Sequence, residues 1–277
     1  MLYSKKVRSN DTLERTKFMN PPQPMKTLKV DHLPVKIYKD ADSLGKAAAF
    51  EARRIIQEAI DEREKANIIL ATGNSQLNFL ESLRILEDIE WSKVHVFHMD
   101  EYLGIDPKHP ASFPLFLEQH FLRHVNVERF FPIPGQPLDL ERACQEYTNL
   151  LMEYPADLVA MGWGENGHIA FNDPPFAEFN DQKWVKLIEL AEASRKQQVN
   201  EGHFETLDQV PERALTLTIP ALIAPKRILC IVPEQRKARA VQECLEKPVG
   251  EDRPGSILRT VSHAELYLDQ ESSSYLN

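Results

Sequence analysis

The sequence predicts an α/β fold, Rossmann-like, with a mainly parallel sheet and helices on both faces. Two observations carry this. Short runs rich in Val and Ile alternate with longer segments of helical period, which is the order of a parallel sheet joined by helical crossovers. Most of the runs are apolar at consecutive positions, as strands covered on both sides must be. Strands are expected over 35–38, 68–72, 94–99, 157–161, 215–219, 228–232 and 266–268. The first helix is expected over 41–65, where Leu44, Ala48, Ala52, Ile55 and Ala59 recur every three or four positions. The segment 75–89 repeats the pattern with Leu77, Leu80, Leu83 and Leu86. Further helices are expected over 113–124, 140–152 and 235–245. Residues 1–24 carry mixed charges and end in Pro21, Pro22 and Pro24, which reads as an N-terminal arm outside the core. Residues 25–277 read as a single domain.

Composition narrows the function. The 33 basic against 42 acidic residues leave a net charge of −9. An acidic surface gains nothing from counterion release, so neither nucleic acid nor an anionic membrane is an expected partner. No apolar run approaches the ~20 residues that span a bilayer, and the N-terminus has no apolar signal core. Cys144, Cys230 and Cys244 follow no paired spacing and read as reduced thiols of a cytoplasmic protein.

In a parallel sheet the ligand sits beyond the carboxyl ends of the strands. Three strand ends carry chemistry. At the first, Thr72, Gly73, Asn74 and Ser75 precede a helix, and such a turn offers hydroxyl and amide donors to an anion. It lacks the Lys of a Walker sequence and the spacing of a dinucleotide loop. At the second, Asp100 and Glu101 end a hydrophobic run. Neighbours on a strand point to opposite faces, so only one of the two faces the cleft. A carboxylate there is partly desolvated, which raises its pKa and suits it to proton abstraction. His95 and His98 face opposite sides, so no metal site is expected. The third is Met161-Gly-Trp-Gly-Glu-Asn-Gly-His168, followed by Asn172 and Asp173. Gly162, Gly164 and Gly167 let the backbone approach a ligand closely. Pro174 and Pro175 cut short the helix a dinucleotide site requires. His168, with Asn166 and Asp173 nearby, can be held in one tautomer and carry protons near neutral pH. A fourth feature is Lys237 near a helix start, where an anionic ligand would offset the unfavourable dipole.

Four segments together resemble the glucosamine-6-phosphate deaminase (isomerase) family: Met99-Asp-Glu-Tyr-Leu-Gly104, the stretch from Gly162 to Pro174, the stretch from Gln209 to Leu222, and Glu234-Gln-Arg-Lys237. That family shares a superfamily with 6-phosphogluconolactonases and the sugar-sensing domains of some repressors. The resemblance runs from about Val35 to about Leu268. It implies conversion of glucosamine 6-phosphate, or a close epimer, and water to a ketohexose 6-phosphate and ammonia, without a cofactor. It implies that Asp100 moves a proton between C2 and C1 and that His168 assists ring opening. It implies that Asp173 orients His168, that Asn166 holds a catalytic position filled by aspartate in some members and asparagine in others, and that Thr72, Gly73, Asn74, Ser75 and Lys237 bind phosphate. Glu101, Gly164 and Arg195 are further candidates for the substrate pocket, Arg195 as the phosphate arginine expected ahead of Gln209. Asp173 stands where a glutamate is usual, which shortens its reach by roughly 1.5 Å, about one C–C bond. A lactonase and a noncatalytic sugar-phosphate sensor are the alternatives, and a homo-oligomer stays open.

Overall fold

The computed structural model describes residues 20–174 and 176–276. Of the expected N-terminal arm, residues 1–19 lie outside the described residues, as does Pro175. The strands begin with β1 (Lys26–Val30), β2 (Leu33–Tyr38), β3 (Ala66–Leu70), β4 (Val94–His98) and β5 (Asp100–Tyr102). They continue with β6 (Arg129–Phe131), β7 (Leu158–Met161), β8 (Val185–Glu189), β9 (Arg213–Leu217), β10 (Arg227–Val232) and β11 (Ala264–Asp269). Eight of them form one sheet in the order β1-β2-β11-β10-β7-β3-β4-β6. Every pairing in it is parallel except that of β1 with β2. The α/β, mainly parallel architecture is as the sequence predicts.

The pleat explains why these strands read as unbroken apolar runs. Ile68, Leu70, Ala160 and Ile231 point to one face. Their neighbours Ile69, Val159, Met161, Cys230 and Val232 point to the other. On the first face lie α1 (Ala41–Arg63), α2 (Leu77–Arg84) and α3 (Phe113–His120). On the second lie α4 (Leu140–Glu153) and, beyond α5 (Glu192–Asn200) and α6 (Ile219–Ile223), helix α7 (Ala238–Glu246). Asp40 caps α1 by accepting from the Ser43 amide at 2.8 Å, and Glu64 closes it in the left-handed region at φ 64°.

Three expectations change, the first being the helix over 75–89, which runs only from Leu77 to Arg84 after a 3₁₀ turn over Asn74–Gln76. The run at 215–219 does not join the main sheet. It forms β9, which pairs antiparallel with β5 and β8 in a separate three-stranded sheet, and Ile219 already begins α6. The helix expected over 113–124 ends at His120, and a 3₁₀ turn over Leu122–His124 comes next.

The second sheet exists because the chain changes sheets between His98 and Asp100. Tyr147 of α4 fixes the point of departure: its hydroxyl accepts from the His98 amide at 3.2 Å and donates to the His98 carbonyl at 3.0 Å. The His98 ring accepts from the Ile133 amide at 2.7 Å, and burial pushes its pKa down to about 3, so it stays neutral. Just before it, Phe97 is fully buried, stacks on Phe131 at 4.5 Å and meets Tyr147 edge-on at 6.0 Å. Removing such a ring opens a cavity against three elements at once. Phe97→Ala is expected to lower the unfolding free energy by about 3–5 kcal/mol in urea titration; a loss below about 1 kcal/mol would contradict this packing.

Candidate active site

One cleft opens at the carboxyl ends of β3, β4, β7 and β10, where the chain leaves β3 and β7 in opposite directions along the sheet. Thr72, Gly73, Ser75, Asp100, Gly164, His168 and Lys237 all line it. Residues expected from three strand ends and a helix start are therefore brought together.

Asp100 owes its place to the change of sheets. The Leu217 amide donates to the Met99 carbonyl at 2.8 Å, and Asp100 then pairs with Thr216 on β9. Its side chain is buried. That burial, and then the charge of Glu101, push its pKa up to about 8. Glu101 faces away, as strand alternation requires, and does not line the cleft. Its carboxylate accepts from the Ser112 hydroxyl and from the Tyr102 amide, each at 2.8 Å. Burial raises Glu101 to about 7 against those bonds. Glu101 thus belongs to the support of Asp100 and not to the pocket wall.

His168 sits on a loop folded back upon itself. The Gly164 amide donates to the His168 carbonyl at 2.9 Å, and the Gly167 amide to the Gly164 carbonyl at 3.0 Å. The imidazole consequently lies flat on residue 164: a Cβ there would come within 2.0 Å of the ring. Only glycine fits. The ring Nδ1 is 2.7 Å from Asn166 Oδ1 and 3.0 Å from Asp173 Oδ1. Both are acceptors, so Nδ1 carries a proton, and in the neutral ring the unprotonated nitrogen is Nε2. Asn166 Nδ2 donates to Asp173 Oδ1 at 2.8 Å, which closes the triangle. The shorter acid therefore still reaches its histidine. Burial pushes Asp173 up, but the charge of His168 and the bonds from His168, Asn166 and Ser194 outweigh it, and the pKa is lowered.

At the other end of the cleft, Gly73 takes φ 98° and turns the chain from β3 into a 3₁₀ turn over Asn74–Gln76. Asn74 is exposed and does not line the cleft; its amide donates to the Glu201 carbonyl at 3.5 Å. Lys237 lies on a matching 3₁₀ turn, Gln235–Lys237, and is buried. Among the described residues its ammonium has no ion-pair partner. Burial lowers its pKa, while Glu201 opposes the shift. A buried, unpaired cation at the mouth of two turns is suited to an anion.

The cleft also has a wall that the sequence does not disclose. Gln197 and Gln198 on α5, with Glu201 and His203 after it, line the cavity. Their segment lacks apolar periodicity, and within α5 Ser194 alone is buried. Glu201 accepts from Arg236 at 2.7 Å and from Gln197 at 2.8 Å. Burial pushes Glu201 up, but the hydrogen bond from His203 and the charges of Arg236 and Lys237 prevail and hold it at about 2. Arg195 is not in the cleft. Its guanidinium donates to the carbonyls of Leu207 at 2.7 Å and Val210 at 3.1 Å, bracing the loop after α5. Among the described residues no group of three or more His, Cys, Asp or Glu is placed to hold a metal ion, and no helix is long and apolar enough to cross a membrane.

Residues 39–267 match the sequence family described as glucosamine-6-phosphate isomerases/6-phosphogluconolactonase. The chain is 31% identical over 242 residues to a glucosamine-6-phosphate deaminase of Lactobacillus delbrueckii subsp. bulgaricus, covering 87% of this chain and 98% of the relative. It is 33% identical over 223 residues to that of Exiguobacterium sibiricum, covering 80% and 85%. Among solved structures it resembles a monomeric glucosamine-6-phosphate deaminase, with a TM-score of 0.79 and 29% identity over 87% of this chain and 98% of that one. A 6-phosphogluconolactonase of Shewanella baltica shares the fold at a TM-score of 0.70 and 18% identity, over 87% and 97%. By sequence and by fold, the chain belongs to the glucosamine-6-phosphate isomerase/6-phosphogluconolactonase family.

Proposed function

We propose that the chain is an amino-sugar-phosphate deaminase that converts glucosamine 6-phosphate and water to fructose 6-phosphate and ammonia. One observation carries the reading: Asp100, His168 and Lys237, each from a different strand end, line a single cleft. Ring opening needs one group that both takes and gives a proton. His168 Nε2 takes the proton of the anomeric hydroxyl and returns it to the ring oxygen, while Nδ1 stays bonded to Asp173 and Asn166. Asp100 then takes the C2 proton of the open-chain aldehyde while the C2 ammonium gives a proton to O1, which leaves a neutral enolamine, and Asp100 delivers its proton to C1. The resulting C2 imine adds water and expels ammonia, which leaves the ketone. Lys237 with Thr72, Gly73 and Ser75 holds the phosphate, and that anchorage lets two groups act on three neighbouring atoms. No step calls on a cofactor. The three free cysteines, two of them buried, are compatible with a cytoplasmic setting.

The purified protein is expected to release ammonia from glucosamine 6-phosphate without added metal or nucleotide, measured against lactone hydrolysis and against the galactosamine epimer. Asp100→Asn should abolish turnover with sugar-phosphate binding retained. Lys237→Ala should raise KM about tenfold or more, with a smaller change in kcat. Equal turnover in Asp100→Asn and the parent would end the assignment of the base.

The base must be ionised to act, and its pKa is raised to about 8. For the free enzyme, kcat/KM is therefore expected to climb with pH and level off above about 8. A limb near the ordinary carboxylate value would contradict the burial argument.

The same shift bears on stability. A folded-state pKa of about 8 against a reference of 3.8 means that the unfolded chain gives up this proton first as pH rises. The stabilising effect of the protonated acid is complete below about 4 and is lost as pH rises through about 8. Asp100→Asn, which cannot ionise, should melt at a higher temperature than the parent at pH 8, and the difference should vanish toward pH 4.

A further inference from the structure

Ser194 has no part in the roles assigned so far. It lies in the first turn of α5, is 2% exposed, and is the one fully buried residue of that helix. Its hydroxyl oxygen is 2.7 Å from Asp173 Oδ1 and 2.8 Å from Asp173 Oδ2. The same oxygen is 3.3 Å from His168 Nδ1.

A hydroxyl nearly equidistant from both oxygens of a carboxylate sits on the bisector of that group. From there it anchors the carboxylate to the first turn of α5, because a shift of the group away from that turn would cost a buried acid its hydroxyl hydrogen bond. This matters here because Asp173 Oδ1 must serve three donors at once: Ser194, Asn166 and the His168 ring. A carboxylate free to shift away from α5 would lose the ring and leave Asn166 as the acceptor at Nδ1. The bond also disperses the negative charge of an acid that is itself 1% exposed. The first turn of α5 adds the positive end of its dipole on the same side.

The position of Ser194 is itself held at a distance. Gln197 accepts from the Glu165 amide at 3.2 Å and donates to Glu201, and Glu201 takes Arg236 at 2.7 Å. These contacts tie α5 to the loop that carries His168 and to the turn that carries Lys237.

Resting on the deaminase reading, we infer that Ser194 is a positioning residue: it locks the Asp173 carboxylate and through it fixes His168 as the Nδ1–H tautomer, with Nε2 ready to accept a proton. It touches neither substrate nor the reacting atoms, so its removal should spare binding and impair the proton transfer.

The test joins kinetics with nitrogen NMR of the substrate-free protein. In the parent, the ¹⁵N shifts of His168 should report a single Nδ1–H tautomer at neutral pH. In Ser194→Ala they should report a mixture of both tautomers. The kcat of that variant should fall about tenfold, the equivalent of one lost hydrogen bond to a charged group, with KM changed less than about twofold. Ser194→Thr, which keeps the hydroxyl, should recover the single tautomer. A single Nδ1–H tautomer in Ser194→Ala overturns the inference whatever the rates do, and so does a mixture in the parent. Failure of the deaminase reading looks different: a parent without ammonia release, whose His168 still loses tautomer order in Ser194→Ala, keeps the role of Ser194 and removes only the reaction.

Discussion

The passage of the chain from one sheet to another at Met99 is the constraint on which the site depends. A strand that simply ended at His98 would hand Asp100 to a solvated loop, where a carboxyl keeps its ordinary acidity. Because β5 instead enters a second sheet, Asp100 is buried between two layers and beside Glu101. Neither acid has an ion-pair partner among the described residues. Glu101 is satisfied by Ser112 and by the backbone, whereas Asp100 faces the cleft. The fold thus spends stability on one side chain, and Tyr147 and His98 keep the junction shut around it.

The histidine half of the site obeys the opposite logic. Asp173 is also buried, yet three donors converge on it and its pKa falls. Two aspartates of one site, Asp100 on the cleft and Asp173 behind His168, are therefore driven apart, Asp100 toward the neutral form and Asp173 toward the ionised one. Divergence of this kind separates a group that must exchange a proton from one that must hold a charge in place. Substituting the shorter acid for glutamate leaves this intact, because the His168 loop doubles back and brings the ring to the carboxylate.

Much of this was legible because burial writes itself into sequence. The central strands β3, β4, β7 and β10 lie under helices on both faces and so read as apolar runs, and the residues just past each run are those that reach the cleft. The small sheet was not legible. β5 has three residues, and β8 has five, of which only Val185 and Ile188 are buried, out of step with a two-residue period. Helix α5 was missed for a related reason: Ser194 is its one fully buried residue, Val199 its one larger apolar contact, and the two make no stripe to find. Arg195 shows the limit of reasoning from charge. A cation near an anion pocket is a sound expectation, but one step along a helix turns a side chain by about 100°. The backbone carbonyls of Leu207 and Val210 claim it first. Glu101 shows the reverse, since strand alternation alone was enough to say that one of the two acids must turn away.

The contact between position 164 and the imidazole has a bearing on how this protein can change over generations. Two residues four apart in the chain occupy one volume, so the smaller can never grow while the larger stays. Drift at 164 would first have to abandon the histidine, and descendants that kept the histidine inherit the glycine with it. A single van der Waals radius thereby makes a chemical necessity out of what would otherwise be a featureless place in a loop.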